Sequence, residues 1–398
     1  MDTPIDGKVA DGYGAVADEF RRNLAERREL GAAVAVVCDG ELVVDLWGGH
    51  RDQARTSAWE RDTLVTVFST TKGMAAAAMA VAHSRGLFDP AAPVARYWPE
   101  FAQAGKEAVS VRQLLDHEAG LAALDVRPLD IETVADHDRL GDVLAAQAPN
   151  WEPGTAWGYH AWTLGWYESQ LLRRVDPHGR TIGQFFADEV AGPLGVEFYI
   201  GLPGNVDADR LAPIVGGGIL MQALHAHQTP WPLLRRFMTP GSLISKAFTS
   251  GLPGRRLSDL NDPRYLELEL PSVNGTGTAR ALARVYGDLA AGGARLGVGR
   301  ATLDELERPK TAAVDQVFGI ESAFRFGFMK PFPLLPFGSS PRAYGHTGSG
   351  GSFAYADPDS GTGYAYVMNR AGYSLPTDPR EQALRDALGW ALDRSDHG

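Results

Sequence analysis

Ser69 and Lys72 stand three residues apart in the stretch VFSTTKGMAAAAMAVAHSRG, where an apolar run turns into an alanine-rich segment. Lysine is scarce, six in 398 residues, and only Lys72 has a serine three positions before it. On a helix that spacing puts both side chains on one face, within mutual reach. A serine hydroxyl is a weak nucleophile until a base takes its proton. A lysine amine does this only if burial lowers its pKa from about 10.4. A lysine that stays charged can instead favour a neighbouring tyrosinate as the base. Both routes ask for a tyrosine nearby. The plain alternative is a helix start followed by a solvated lysine.

Other common chemistries are missing from the sequence. There is no G-x-x-x-x-G-K loop, no G-x-G-x-x-G, no H-E-x-x-H, no EF-hand loop and no G-x-S-x-G nucleophile elbow. His225 and His227 form the only close histidine pair, and without a third ligand they read as a solvated loop pair. No metal and no cofactor is expected.

The elements that must position Ser69 and Lys72 follow from pattern. YGAVADEFRRNLAERRELG reads as an opening helix. AAVAVVCDGELVVDLWGG reads as a β-hairpin, since Asp39-Gly40 between valine-rich runs suits a two-residue turn of positive φ. VRQLLDHEAGL, TIGQFFADEVAGPLG and ARALARVYGDLAAGG read as helices ended by glycine. Near the C-terminus AYGHTGSGGSFAYADPDSGTGYAYVMNR reads as two strands around a turn at Pro358 to Gly361, and DPREQALRDALGWALDR as a last helix. The expected fold class is α/β (α+β): an antiparallel sheet built from both termini, flanked by helices, with an inserted mainly helical domain. The expected boundaries are 1–88 and 315–398 for the discontinuous α/β domain and 89–314 for the insertion. A cleft between them is a natural ligand site. QTPWPLLRRF and MKPFPLLPF are loops that either line an apolar pocket or pack the helical unit.

Composition bounds the partners. Hydrophobic residues at 44% and charged residues at 22% are ordinary for a globular protein. A net charge of −11 argues against nucleic acid or an anionic membrane. The single cysteine, Cys38, excludes an internal disulfide and reads as a buried strand thiol. MDTPIDGKVADGYG has no basic-then-apolar pattern, and the apolar helix candidate from Met74 to Ala82 is too short to span a bilayer, so a cytoplasmic protein is expected. The oligomeric state is left open.

In this order, FSTTKGM, LLDHEAGL, WEPGTAWGYHAWTLGW, SVNGTGTARALARVYG and GHTGSGGSFAYADP resemble the serine β-lactamase/penicillin-binding-protein-like superfamily, and within it the esterases related to class C β-lactamases, carboxylesterase family VIII. The resemblance runs from about Gly31 to the C-terminus. It implies that Ser69 is the acylated nucleophile, Lys72 its partner and Tyr159 the second proton-transfer group. It places the oxyanion hole at the backbone N–H groups of Ser69 and Ser349, the latter on an edge strand, and substrate contacts at His346, Thr347 and Gly348.

Two departures stand out. The family's Tyr-x-Asn is here Tyr159-His160-Ala161, so an amide-binding side chain is missing. His346 replaces the lysine of Lys-Thr-Gly, which weakens a fixed positive charge at neutral pH; His-Thr-Gly does occur in some D,D-peptidases and esterases of the superfamily. The implied activity is a carboxylesterase acting on small to medium esters through an acyl-enzyme on Ser69. Alternatives are an acyltransferase using the same acyl-enzyme, a β-lactamase or D-Ala-D-Ala peptidase, and a non-catalytic scaffold.

Overall fold

A computed structural model describes residues 4–216, 230–251, 257–374 and 377–395. An antiparallel sheet of eight strands forms the centre, in the order Ile5–Val9, Glu41–Gly49, Gly31–Cys38, Thr362–Met368, Phe353–Asp357, Tyr344–Thr347, Phe328–Met329, Phe324–Arg325. The N-terminal hairpin meets the C-terminal strands where Gly31–Cys38 pairs with Thr362–Met368. The hairpin turn has φ of 49° at Asp39 and 84° at Gly40, the geometry that Asp-Gly favours.

Gly14–Glu26 and the terminal helix Pro379–Ser395 follow the sequence reading, the first ending sooner than expected, at Arg27. Four strands of this sheet lie outside the sequence reading, two of them, Phe324–Arg325 and Phe328–Met329, being only two residues long. Ile5–Val9 alternates polar and apolar residues too weakly to stand out, and Tyr344–Thr347 is separated from Phe353–Asp357 by a glycine-rich loop, giving three C-terminal strands rather than two. Tyr344–Thr347 is not an edge strand either, because Met329 pairs with Gly345; the pairing stops there, short of His346 and Thr347.

Thr71–Ser84 is buried from Thr71 through Ala82, as expected for a helix with no polar face. Ala279–Ala290 packs on the sheet so closely that a Cβ on Gly363 would lie 2.2 Å from the Gly287 nitrogen. The boundary at 314 therefore puts a sheet-packing helix inside the insertion; we propose that the return to the α/β layer begins near residue 279. Val111–Leu115 is a five-residue helix, shorter than expected because His117 turns to φ 62°. Cys38 ends its strand and is only half-buried, with Sγ 3.7 Å from the Ser360 carbonyl oxygen. His225 and His227 lie outside the described residues. Among the described residues no helix is long and apolar enough to cross a membrane.

Candidate active site

The Thr71–Ser84 helix does not begin at Ser69. Phe68–Thr70 forms a tight 3-10 turn ahead of it, and Phe68 has φ of 49°. A buried phenylalanine in the left-handed region is strained by roughly 1–3 kcal/mol. It is held there in part by the Thr71 hydroxyl, which donates to the Phe68 carbonyl at 2.5 Å. The turn leaves Ser69 partly exposed while Thr70, Thr71 and Lys72 are buried.

Lys72 is 0% exposed. Its Nζ lies 2.7 Å from the Ala161 carbonyl oxygen, 3.0 Å from that of Ser272 and 3.4 Å from Ser69 Oγ. Lys106 and Lys330 are also fully buried, but each donates to three carbonyl oxygens, which uses every ammonium hydrogen. Lys72 has two carbonyls and a hydroxyl. A neutral amine has two N–H bonds and one lone pair; with both N–H bonds on carbonyls, the lone pair is left for Ser69. Burial holds Lys72 well below the ordinary lysine value, and the Glu168 carboxyl opposes this.

Tyr159 reaches the same hydroxyl. Burial raises its pKa above the ordinary tyrosine value, outweighing Ser69, which lies close enough to the Tyr159 hydroxyl to lower it. The ring stacks on Phe318 at 4.9 Å and on Phe324 at 5.6 Å, and Lys72 Nζ sits 4.7 Å from its centre. Its backbone N–H donates to the Asp315 carboxylate, at 3.2 and 3.1 Å. Asp315 also accepts from Val317 N, Phe318 N and Ser322 Oγ, so one buried carboxylate fixes both the tyrosine and the ring stacked on it. Burial pushes Asp315 up to about 6.

The His346-Thr347-Gly348 strand end is fastened to the Ser69 turn. Ser352 Oγ donates to the Val67 carbonyl at 2.7 Å and lies 3.1 Å from Thr70 Oγ1. A Cβ on Gly348 would be 2.1 Å from Ser352 Oγ and 2.3 Å from Val67 O, so only glycine fits. His346 is buried, which pushes it down to about 3; Nδ1 faces the Thr347 carbonyl at 2.7 Å and Nε2 has no partner.

Two further buried histidines surround Lys72. Leu121 N–H donates to His160 Nε2 at 3.0 Å, which leaves the His160 proton on Nδ1, 2.8 Å from the Gly158 carbonyl. The His160 backbone N–H donates to His117 Nδ1 at 3.0 Å. Burial lowers both pKa values, that of His160 to about 3. Three neutral imidazoles thus stand near one lysine.

Ser69, Tyr159, His346, Thr347, Gly348 and Ser349 line one cavity of about 130 Å3, with Lys72 behind Ser69. All the expected site residues are therefore brought together. The rest of its wall is mostly apolar: Leu233 and Phe237 from the helix Trp231–Met238, and Met329 and Phe332 from the 329–337 segment. Leu335 and Phe337 of that segment do not line it, although they share one buried apolar cluster with Met329 and Phe332. Sequence reasoning missed Asp315, which is 156 positions from Tyr159, and Glu168, whose two carboxylate oxygens are buried without a hydrogen-bond partner. No spacing signal marks either.

A two-ended antiparallel sheet, a buried helix launched from a serine turn and a glycine-bearing strand end beside it define the serine β-lactamase/penicillin-binding-protein-like class. The chain belongs to the beta-lactamase family, whose family model matches residues 16–388. It is 34% identical over 374 residues to the esterase/beta-lactamase LipL of Mycobacterium tuberculosis (strain ATCC 25618 / H37Rv), covering 92% of this chain and 82% of that one. The crystal structure of a family VIII carboxylesterase superposes with a TM-score of 0.85 at 36% identity, over 98% of this chain and 100% of that one. A penicillin-binding protein homologue from Caulobacter crescentus superposes with a TM-score of 0.83 at 37% identity, over 98% and 100%.

Proposed function

We propose that the protein is a serine carboxylesterase that cleaves small to medium esters through an acyl-enzyme on Ser69. The observation that carries this is the placement of Lys72 Nζ, buried on two carbonyls and 3.4 Å from the Oγ of Ser69, which lines a mostly apolar cavity. Likeness to an esterase and to a family VIII carboxylesterase supports the choice of substrate class.

Neutral Lys72 takes the Ser69 proton as Oγ attacks the ester carbonyl carbon. The N–H groups of Ser69 and Ser349 receive the developing oxyanion. Collapse breaks the bond to the alcohol oxygen, and the proton reaches that oxygen through the Tyr159 hydroxyl. Burial keeps Tyr159 protonated, which suits a donor rather than a resting tyrosinate. Water then attacks the acyl-Ser69 carbonyl and gives a proton to neutral Lys72; collapse breaks the bond to Ser69 Oγ, which takes that proton back from Lys72 as the acid leaves.

A second reading, β-lactam hydrolysis, is favoured by the name of the LipL relative. Neutral His346 counts against it, because no fixed charge stands where Lys-Thr-Gly would hold a carboxylate. The test is steady-state hydrolysis of p-nitrophenyl butyrate and nitrocefin by wild-type protein and Ser69→Ala. Rapid ester turnover that Ser69→Ala removes supports the reading; an equal rate in folded Ser69→Ala overturns it.

A further inference from the structure

Behind the glycine-rich loop that follows His346-Thr347 lies a second cavity, of about 280 Å3, whose charged lining is Arg27, Arg28, Arg370, Arg380 and Asp378. Such a concentration of guanidinium groups is unexpected in a protein of net charge −11. Two of the four are already neutralised. Arg27 pairs with Glu19 at 2.8 Å, and Arg380 with Glu29 and Asp378, both at 2.8 Å. The other two differ. Among the described residues neither Arg28 nor Arg370 has an ion-pair partner, and Arg370 Nε is buried without a hydrogen bond. Arg28 is exposed and held at φ 60°, a conformation that side chains larger than glycine rarely adopt. Burial, then repulsion by Arg55, Arg28 and Arg380, lowers the Arg370 pKa from its ordinary value, with Glu29 opposing. Like charges crowded around a partly buried, unpaired guanidinium are stabilised by an anion that accepts from it.

The position of this cavity ties it to the reaction. Ser374 and Asp378 line both it and the apolar cavity beside Ser69. The Gly350 carbonyl, next to Ser349, accepts from Gly372 N at 2.8 Å and Arg380 Nη2 at 3.2 Å, and both donors belong to residues of the second cavity. We propose that the second cavity binds the anionic end, a carboxylate or phosphate, of an ester whose apolar middle fills the cavity beside Ser69. The inference rests on the esterase reading. None of Ser69, Tyr159, His346 and Ser349 lines the second cavity. The acid therefore stands at the far end of the substrate, away from the scissile bond, unlike the carboxylate of a β-lactam.

The experiment compares kcat/KM for mono-p-nitrophenyl glutarate, with the acid on the acyl side, and for 4-acetoxybenzoate, with the acid on the alcohol side, against p-nitrophenyl acetate. Wild type, Arg370→Gln and Arg28→Gln are measured; Arg28 lies on the surface, so its variant keeps the test open if Arg370→Gln fails to fold. For at least one charged ester, the ratio of charged to neutral kcat/KM is expected to fall about tenfold in each variant, the usual effect of losing a charge-assisted hydrogen bond. Unchanged ratios for both esters overturn the proposal, even if inorganic phosphate binds. If wild type fails to hydrolyse p-nitrophenyl acetate, the esterase reading fails separately. Calorimetric binding of glutarate, weakened in Arg28→Gln, then still supports an anion site, and no binding overturns it.

Discussion

The Lys72 amine donates to the main-chain carbonyl of Ala161, two residues beyond Tyr159, at 2.7 Å. Ala161 occupies the position where the family pattern has an asparagine. The missing amide side chain therefore leaves Lys72 anchored, because the backbone itself supplies an acceptor. A carbonyl cannot donate, so what is lost is the amide group that would bind substrate rather than the hold on the lysine.

Lowered by burial, Lys72 gives activity a defined pH dependence. A base works only when neutral, so kcat/KM on an ester is expected to rise with pH and level off well before 10.5. A rise that continues to pH 10 in a pH-rate profile would show an ordinary solvated lysine.

Buried imidazoles at His117, His160 and His346 should stay neutral through the physiological range. In two-dimensional NMR their ring resonances are expected to be flat between pH 5 and 8, given values near 3 for His160 and His346. His346→Ala is expected to cost activity about tenfold to a hundredfold, the worth of a contact of about 1–3 kcal/mol.

Asp315→Ala would leave the N–H groups of Tyr159, Val317 and Phe318 and the Ser322 hydroxyl without their acceptor. A lower Tm follows, by about 2–3 °C for a loss of about 2 kcal/mol in a chain of this length. Since part of the effect passes through Tyr159, adding Asp315→Ala to Tyr159→Phe should reduce kcat less than it does alone. Full additivity in that double-mutant cycle would separate the two residues.

Ester cleavage is expected to exceed β-lactam cleavage by a wide margin, with p-nitrophenyl acetate or butyrate far better than nitrocefin. A cavity of about 130 Å3 is similar in size to an apolar cavity of about 150 Å3 that accepts benzene. Short acyl chains fit, and twelve-carbon chains should be poor. Comparable kcat/KM on butyrate and nitrocefin would contradict this.

Much of this arrangement could be read from the chain because it is local. Asp39-Gly40 announces its hairpin, and the Ser69-Lys72 spacing keeps its meaning although Ser69 stands in a 3-10 turn ahead of the helix. Tyr159 was legible only through resemblance to a family, since nothing in its own neighbourhood distinguishes it from a packed aromatic. QTPWPLLRRF reads as a loop, yet most of it belongs to the helix Trp231–Met238, since proline is tolerated in a first helical turn; Gln228 and Thr229 lie outside the described residues. Asp315 meets Tyr159 from 156 positions away, and Glu168, Arg28 and Arg370 reach their surroundings only through the fold; long-range charge placement leaves no periodicity to detect.

The central claim is that Ser69 is the nucleophile and Lys72 its base, and covalent labelling tests it most directly. Wild-type protein and Lys72→Ala are exposed to a p-nitrophenyl phosphonate, and the modified peptide is mapped by tandem mass spectrometry, with circular dichroism showing that both are folded. The expected result is a single adduct on Ser69 in wild type, formed in step with loss of esterase activity, and almost none in Lys72→Ala. Activity lost with Ser69 unmodified, or an equal labelling rate in folded Lys72→Ala, would contradict it.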